Sequence, residues 1–332
     1  MDINEKYDDY DFPYKAAEPQ SGHAGHLTDE QIAQVHQLRT ELETEGYSKR
    51  LDTLTLLRFL RARKFDVSLA KKMFVESEEW RTKTKLDETV PTWEYPEKPE
   101  ISKYYKQFYH KIDKDGRPIY IETFGDIDLT AMYKITTSDR MVTNLAVEYE
   151  RVADPRLPAC SRKAGHLLET CCSIMDLKGV SLTKIPQVYT YLKEVSGLSQ
   201  NYYPERLGKL YLINAPWGFS TVWSVVKGWL DPVTVSKIHI LGSGYKTDLL
   251  KQIPAENLPE AFGGSCKCEG GCENSDAGPW RDPEFAKPAK WEKSLDQKEA
   301  DAVKAAVEGG PEVTTGVEAA PVPEATEAKP AA

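Results

Sequence analysis

The chain has 332 residues and a formal charge of −9, from 43 Lys+Arg against 52 Asp+Glu. At roughly 150 residues per domain this is two folded units, or one large unit with tails. The acidic balance disfavours a general nucleic-acid binder, which needs a basic surface. No stretch approaches the ~20 apolar residues of a bilayer span. The N-terminal MDINEKYDDYDFPY lacks an apolar signal core and the six Cys do not form a disulfide-framework spacing, so a cytoplasmic chain with reduced thiols is expected.

Residues 1–26 show no apolar period and read as a flexible or loosely docked segment. Thr28 opens a capping box with Gln31, and Ile32, Val35, Leu38 and Leu42 follow at helical spacing until Gly46. Leu54, Leu57 and Leu60 mark a second helix with a basic end: Arg58, Arg61, Arg63, Lys64. Asp66 caps a third, with Leu69, Ala70, Met73, Phe74, Ser77 and Trp80 on one face. These helices make an all-α unit over 27–95, closed by Pro91, Pro96 and Pro99. A turn at Asp113–Gly116 leads into a strand over Pro118–Phe124, and Ser138–Asp154 is amphipathic. Three β-type runs follow, Thr170–Leu177, Lys209–Asn214 and Ser236–Leu241, separated by helical segments Ile185–Val195 and Phe219–Leu230. Strands alternating with helices predict an α/β unit with a largely parallel sheet over 96–283. Residues 284–332 are Ala/Glu/Pro-rich and read as a disordered tail.

An α/β sheet raises the question of catalysis, but GxGxxG, P-loop and GxSxG patterns are all missing. Gly242-Ser-Gly244 lacks the nucleophile-elbow spacing, and His239 reads as a strand imidazole rather than a catalyst. Cys266, Cys268 and Cys272 put three thiols in seven residues, but structural zinc takes four ligands and no fourth is evident nearby, so no metal is assigned.

Three stretches carry more information together: TLLRFLRARKFD (55–66), SQNYYPERLGKLYLINAPWGFS (199–220), and LDPVTVSKIHILGS (230–243) with LLKQIPAENLPEAFGG (249–264). They resemble the CRAL-TRIO lipid-binding family, most nearly its phosphatidylinositol/phosphatidylcholine transfer branch of the fungal secretory pathway. HKIDKDGRPIY and RLPACSRKAGHLLETCCSIMDLKG extend the likeness, which runs from about Thr28 to Phe285. The resemblance implies a helical bundle before a CRAL-TRIO domain whose sheet floors a hydrophobic cavity closed by a gating helix. It also implies a non-enzymatic monomer without cofactors. Such a protein binds one phospholipid, exchanges it in transient contact with Golgi or endosomal membranes, and supplies phosphatidylinositol to a lipid kinase.

Two acyl chains hold some thirty methylenes, and at ~0.8 kcal/mol each their removal from water is worth on the order of 20 kcal/mol. A closing element that opens at the bilayer is therefore expected. Within Phe219–Leu230, the residues Phe219, Val222, Trp223, Val226, Trp229 and Leu230 are apolar and Lys227 is the one charge; the resemblance makes this the gate rather than an ordinary buried helix. Carried over position by position, it assigns Arg63, Lys64, Glu205, Thr234 and Lys237 to the phosphatidylinositol head group, with a Glu205–Lys237 structural ion pair as the plainer reading. It assigns Tyr109, Tyr120, Tyr149, Cys171, Ser173 and Ser199 to phosphatidylcholine. Aromatic faces attract quaternary ammonium, and Cys171 stands where the family offers a hydroxyl, a stronger donor than a thiol. Two alternatives remain: a carrier of sterol, haem or terpenoid on the same fold, and an α/β hydrolase, which the missing nucleophile motif disfavours.

Overall fold

The computed structural model describes residues 4–17, 19–181, 185–230 and 232–292, without the side chains of 185–190, 192 and 229. Helices α1 (Asp29–Thr44), α2 (Thr53–Ala62), α3 (Val67–Thr84) and α4 (Leu86–Thr92) form the N-terminal layer. The Thr28–Gln31 capping box is present, and Val35, Leu38 and Leu42 are buried as their spacing requires. Gly46, at φ 90°, takes the left-handed turn after α1. Asp66 caps α3 by accepting the Leu69 N–H at 2.9 Å, and Ala70, Met73, Phe74 and Ser77 are buried. Leu69 departs from the expected face: it is half exposed.

A short helix α5 (Lys98–Ile101) leads to a five-stranded sheet in the order β1-β2-β3-β4-β5. The strands are β1 (Lys106–Ile112), β2 (Pro118–Thr123), β3 (Cys171–Asp176), β4 (Leu207–Ile213) and β5 (Ile238–Ile240). β1 pairs antiparallel with β2 through the Asp113–Gly116 turn, and the other pairings are parallel. The antiparallel strand β1 is absent from the sequence expectation, since KQFYHKI alternates only weakly. The connections carry α6 (Leu129–Met132), α7 (Ser138–Arg151), α8 (Leu157–Ala164), α9 (Ile185–Tyr202), α10 (Phe219–Val226) and α11 (Pro232–Ser236); α12 (Lys246–Gln252) and α13 (Cys272–Ser275) follow β5.

The layers are tied by charge and stacking. Arg81 of α3 donates to Glu150 of α7 at 2.6 Å and to Asp87 at 2.7 Å. Trp80 stacks on Tyr202 of α9 with centroids 4.3 Å apart.

Of the two expected tails, the N-terminal one takes its docked alternative and the C-terminal one needs correction within the described residues. Residues 4–17 are docked: Tyr7, Tyr10, Phe12 and Tyr14 pack against the α1–α3 core. The buried Asp8 carboxylate accepts the Thr53 N–H and the Thr53 hydroxyl, both at 2.6 Å, and so caps α2 from outside the helix. Residues 284–292 belong to the folded body, not the tail. Phe285 packs beside the Tyr109 cluster, Ala289 is fully buried, and the Trp291 indole donates to the Asp154 carbonyl at 3.2 Å. In both segments isolated aromatics bury against distant chain, which local composition does not register. The rest of the expected tail, 293–332, lies outside the described residues.

Asp8→Ala strips a charged acceptor from two buried donors at the start of α2. It is expected to lower the unfolding free energy by roughly 2–3 kcal/mol in a urea titration; a change near zero would show that the segment does not brace α2.

Candidate functional site

Strand alternation divides the sheet into two chemically different faces. Phe108, Ile119, Ile121, Cys172, Ile174, Tyr211 and Ile213 form one face, packed under Leu249, Ile253, Leu258 and Phe262. The opposite face carries a row in register across all five strands: Tyr109, Tyr120, Ser173, Leu210 and Ile238. Cys171 and Ser173, two apart on β3, share that face. It is polar and aromatic over β1–β3 and aliphatic over β4–β5.

The aromatic end brings together most of the expected phosphatidylcholine residues. Tyr109 and Tyr120 lie 5.0 Å apart between ring centroids, and Tyr149 is stacked on Tyr203 at 4.6 Å. Burial pushes the Cys171 thiol up to about 12, so it stays neutral here. One face of Tyr109 is already taken by a protein cation, the Arg156 guanidinium, 4.5 Å from the ring centroid. Arg156 is balanced by Glu148 at 3.1 Å and Asp276 at 3.2 Å. Its partners lie on α7 and far along the chain at 276, so no local pattern marks it.

The same face holds a buried acid that the sequence reading missed. Glu122 accepts from Gln107 at 2.8 Å and from the Tyr105 hydroxyl. Gln107 also donates to the Tyr120 hydroxyl at 2.9 Å. Burial raises the Glu122 carboxyl from 4.5 to about 7, against these hydrogen bonds, which favour the ionised form. The available signal was its place two residues after Tyr120 on one strand.

At the expected inositol end, Glu205 and Lys237 approach to 3.9 Å. Arg61, absent from the expected set, is the third member: its Nε is 3.9 Å from Glu205 and its Nη2 is 2.9 Å from Glu169. Its side chain is only 7% exposed, and neither Arg61 Nε nor Glu169 Oε1 has a hydrogen-bond partner among the described residues. The Glu169 carboxyl would be raised by its burial, but Arg61, Arg58 and Arg206 outweigh that and hold it below the usual range. Thr234 precedes Lys237 in a turn closed by the Lys237 N–H to the Thr234 carbonyl at 3.1 Å. Arg63 and Lys64 are not drawn into this cluster: Arg63 donates to the Ala62 carbonyl at 3.1 Å, and Lys64 is exposed. Behind the cluster lies a cavity of about 380 Å³ lined in part by Arg58, Glu169 and Arg206.

The expected gate splits by direction. Phe219 and Trp223 pack onto the aliphatic end of the face beside Leu210, Leu212 and Ile238. Val222, Val226 and Leu230 are half-buried, and the Trp229 side chain lies outside the described residues. Outward apolar surface comes from residues the sequence reading did not single out, Trp217 at 99% exposed with Val225 and Val233. Gly218, at φ 83°, gives α10 its left-handed entry. Among the described residues, no helix is long and apolar enough to cross a membrane.

The sequence pattern of the CRAL/TRIO domain matches residues 102–264, and that of the CRAL/TRIO N-terminal domain matches 31–76. A Schizosaccharomyces pombe protein named Sec14 cytosolic factor is 55% identical over 82% of this chain and 96% of its own. The chain belongs to the CRAL/TRIO family. A Kluyveromyces lactis SEC14 cytosolic factor is 56% identical over 81% of this chain and 90% of its own. An Arabidopsis thaliana protein named phosphatidylinositol/phosphatidylcholine transfer protein SFH12 is 42% identical over 70% of this chain and 43% of its own. The crystal structure of Sfh5 superposes with a TM-score of 0.61 at 17% identity, covering 83% of this chain and 98% of that one, which shows the CRAL/TRIO fold.

The raised Glu122 carboxyl gives a pH test. The native state keeps a proton that the unfolded chain releases, so this stability is full below about 4.5 and is lost as the pH rises through about 7. Glu122→Gln is expected to flatten the stability profile between pH 5 and 8 and to gain roughly 1–3 kcal/mol over the native chain at pH 8. An unchanged slope would place the titration elsewhere.

Proposed function

We propose that this chain is a phosphatidylinositol/phosphatidylcholine transfer protein that takes one phospholipid at a time onto the polar-to-aliphatic face of its sheet. The observation that carries the reading is the pairing of two unlike poles on one structure: a Glu205–Lys237–Arg61 cluster and a cluster of Tyr109, Tyr120, Tyr149 and Ser173. A phosphoinositol head offers an anionic phosphate and ring hydroxyls, which need cations with an acceptor beside them. Lys237 and Arg61 supply the cations and Glu205 the acceptor, with Thr234 as a hydroxyl; Arg63 and Lys64 meet the head group only by turning inward. A phosphocholine head needs aromatic faces for its ammonium and hydroxyls for its phosphate. Tyr120, Tyr149 and the free face of Tyr109 suit the first; Ser173 and Ser199 suit the second, with the neutral Cys171 thiol as a weak donor.

The aliphatic strip of Leu210, Leu212 and Ile238 suits acyl chains, and α10 covers it as the gate. Phe219 and Trp223 hold the gate shut, while the exposed Trp217 is placed to enter the interfacial zone of a bilayer. The chemistry is exchange, not bond making. The names of the relatives, cytosolic factor and phosphatidylinositol/phosphatidylcholine transfer protein, support the transfer reading; the proposal adds a monomer in the cytoplasm that visits Golgi or endosomal membranes transiently and feeds a phosphatidylinositol kinase.

Lys237→Ala is expected to reduce phosphatidylinositol transfer between vesicles by at least about tenfold, the size of a lost charge-assisted contact, and to leave phosphatidylcholine transfer within about twofold. Equal loss of both would contradict separate head-group poles. Trp217→Ala is expected to weaken vesicle capture severalfold in a sedimentation assay, whereas unchanged capture would remove Trp217 from the docking surface.

A further inference from the structure

Cys266, Cys268 and Cys272 are one ligand short of a structural metal site by spacing alone. The fold supplies the missing one from the other end of the domain. His110, on edge strand β1, is fully buried, and its Nε2 lies 3.4 Å from Cys266 Sγ. Cys266 Sγ lies 3.8 Å from Cys268 Sγ, and the four ligand atoms all fall within 4.8 Å of one another. We propose that His110, Cys266, Cys268 and Cys272 form a closed tetrahedral zinc site.

The distances match the chemistry. Zinc–sulfur bonds of ~2.3 Å and a zinc–nitrogen bond of ~2.0 Å at tetrahedral angles put sulfurs about 3.8 Å apart and nitrogen about 3.5 Å from sulfur. A disulfide would need its sulfurs at about 2.05 Å, and all three thiols are free. Cys266 and Cys272 are buried, as a closed site requires.

The outer hydrogen bonds also set the histidine. Ser275 donates its hydroxyl proton to the Cys272 carbonyl at 2.9 Å, so toward His110 Nδ1, 3.2 Å away, it can only accept. Nδ1 therefore carries the proton and Nε2 turns its lone pair toward the sulfurs, the tautomer a metal ligand needs.

The backbone is shaped to bring these groups together. His110 sits in the register irregularity between Tyr109 and Ile112, and the Lys111 N–H leaves the β-ladder to donate to Ala277 at 2.6 Å. Gly270 and Gly271, at φ 74° and 95°, reverse the loop so that Cys272 returns to Cys266. Binding converts three thiols to thiolates, releases three protons and leaves a net charge of −1 on the site. Its position gives it a role. It fastens 266–275 to β1, and the next residue, Asp276, holds Arg156 against Tyr109 and accepts from the Trp280 indole at 3.1 Å. The metal would thus brace the aromatic pole from behind.

The test is metal analysis of the full chain purified from zinc-supplemented cells without chelator, paired with thiol titration after unfolding in a chelator. About one zinc per chain and six titratable thiols are expected, and cobalt exchanged into the site should show the thiolate charge-transfer and d–d bands of a tetrahedral centre. Cys268→Ser and His110→Ala should each hold less than about a fifth of that zinc, while His110→Cys, which rebuilds four ligands, should retain it even if the alanine variant folds poorly. A native chain with no zinc after supplementation, or with four titratable thiols in place of six, would overturn the proposal, the latter by showing a disulfide.

Discussion

The two-residue alternation of β2 and β3 governs what this molecule can present to a ligand. Ile119, Ile121, Cys172 and Ile174 are committed to the core beneath α12, so Tyr120, Glu122, Cys171 and Ser173 have to face the other way. A slip of one residue would exchange the two sets, turning the isoleucines onto this face and the tyrosine and the acid toward α12. The same alternation continues into β1 and β4, where it adds Gln107 and Tyr109 at one end and Leu210 and Leu212 at the other. The gradient from polar to aliphatic across one face is thus a consequence of strand register.

Burying polar groups on a face that also carries aliphatic side chains is costly unless each has a partner. The chain meets that demand in three ways. Glu122 is held by neighbouring Tyr105, Gln107 and Tyr120, and burial favours its neutral form. Arg156 is neutralised by Glu148 and Asp276 and lies flat on Tyr109. Arg61 is anchored by Glu169 and leaves its Nε toward Glu205 without a hydrogen bond. The Glu122 network is closed, whereas Arg156 Nε, like Arg61 Nε, has no hydrogen-bond partner among the described residues. The Arg61 cluster is the more open, since Glu169 Oε1 is without a partner as well, and the phosphate and hydroxyls of the proposed head group would complete it.

The sequence was legible where structure is local. The capping box at Thr28, the stop at Gly46, the Asp66 cap and the β2–β4 runs all follow from short-range rules. Long linked motifs carried the family. What stayed hidden depends on contacts across the chain. Asp8 caps a helix more than forty residues away, and Trp291 docks on Asp154. Arg61 looked like one of several basic residues at the end of α2 until Glu169 and Glu205 were brought to it. His110 gave no sign of joining the cysteines, because only the irregularity in β1 turns it toward them. Trp217 stood outside the expected gate since its exposure follows from the turn before Gly218, not from any helical period.

In the proposed function one face serves two phospholipid heads, one molecule at a time. The most direct measurement is native mass spectrometry of the full chain after incubation with vesicles containing phosphatidylinositol, phosphatidylcholine and a sterol. Two bound populations are expected, chains carrying one phosphatidylinositol and chains carrying one phosphatidylcholine, with none carrying both. Chains loaded only with sterol, or with both phospholipids together, would contradict it.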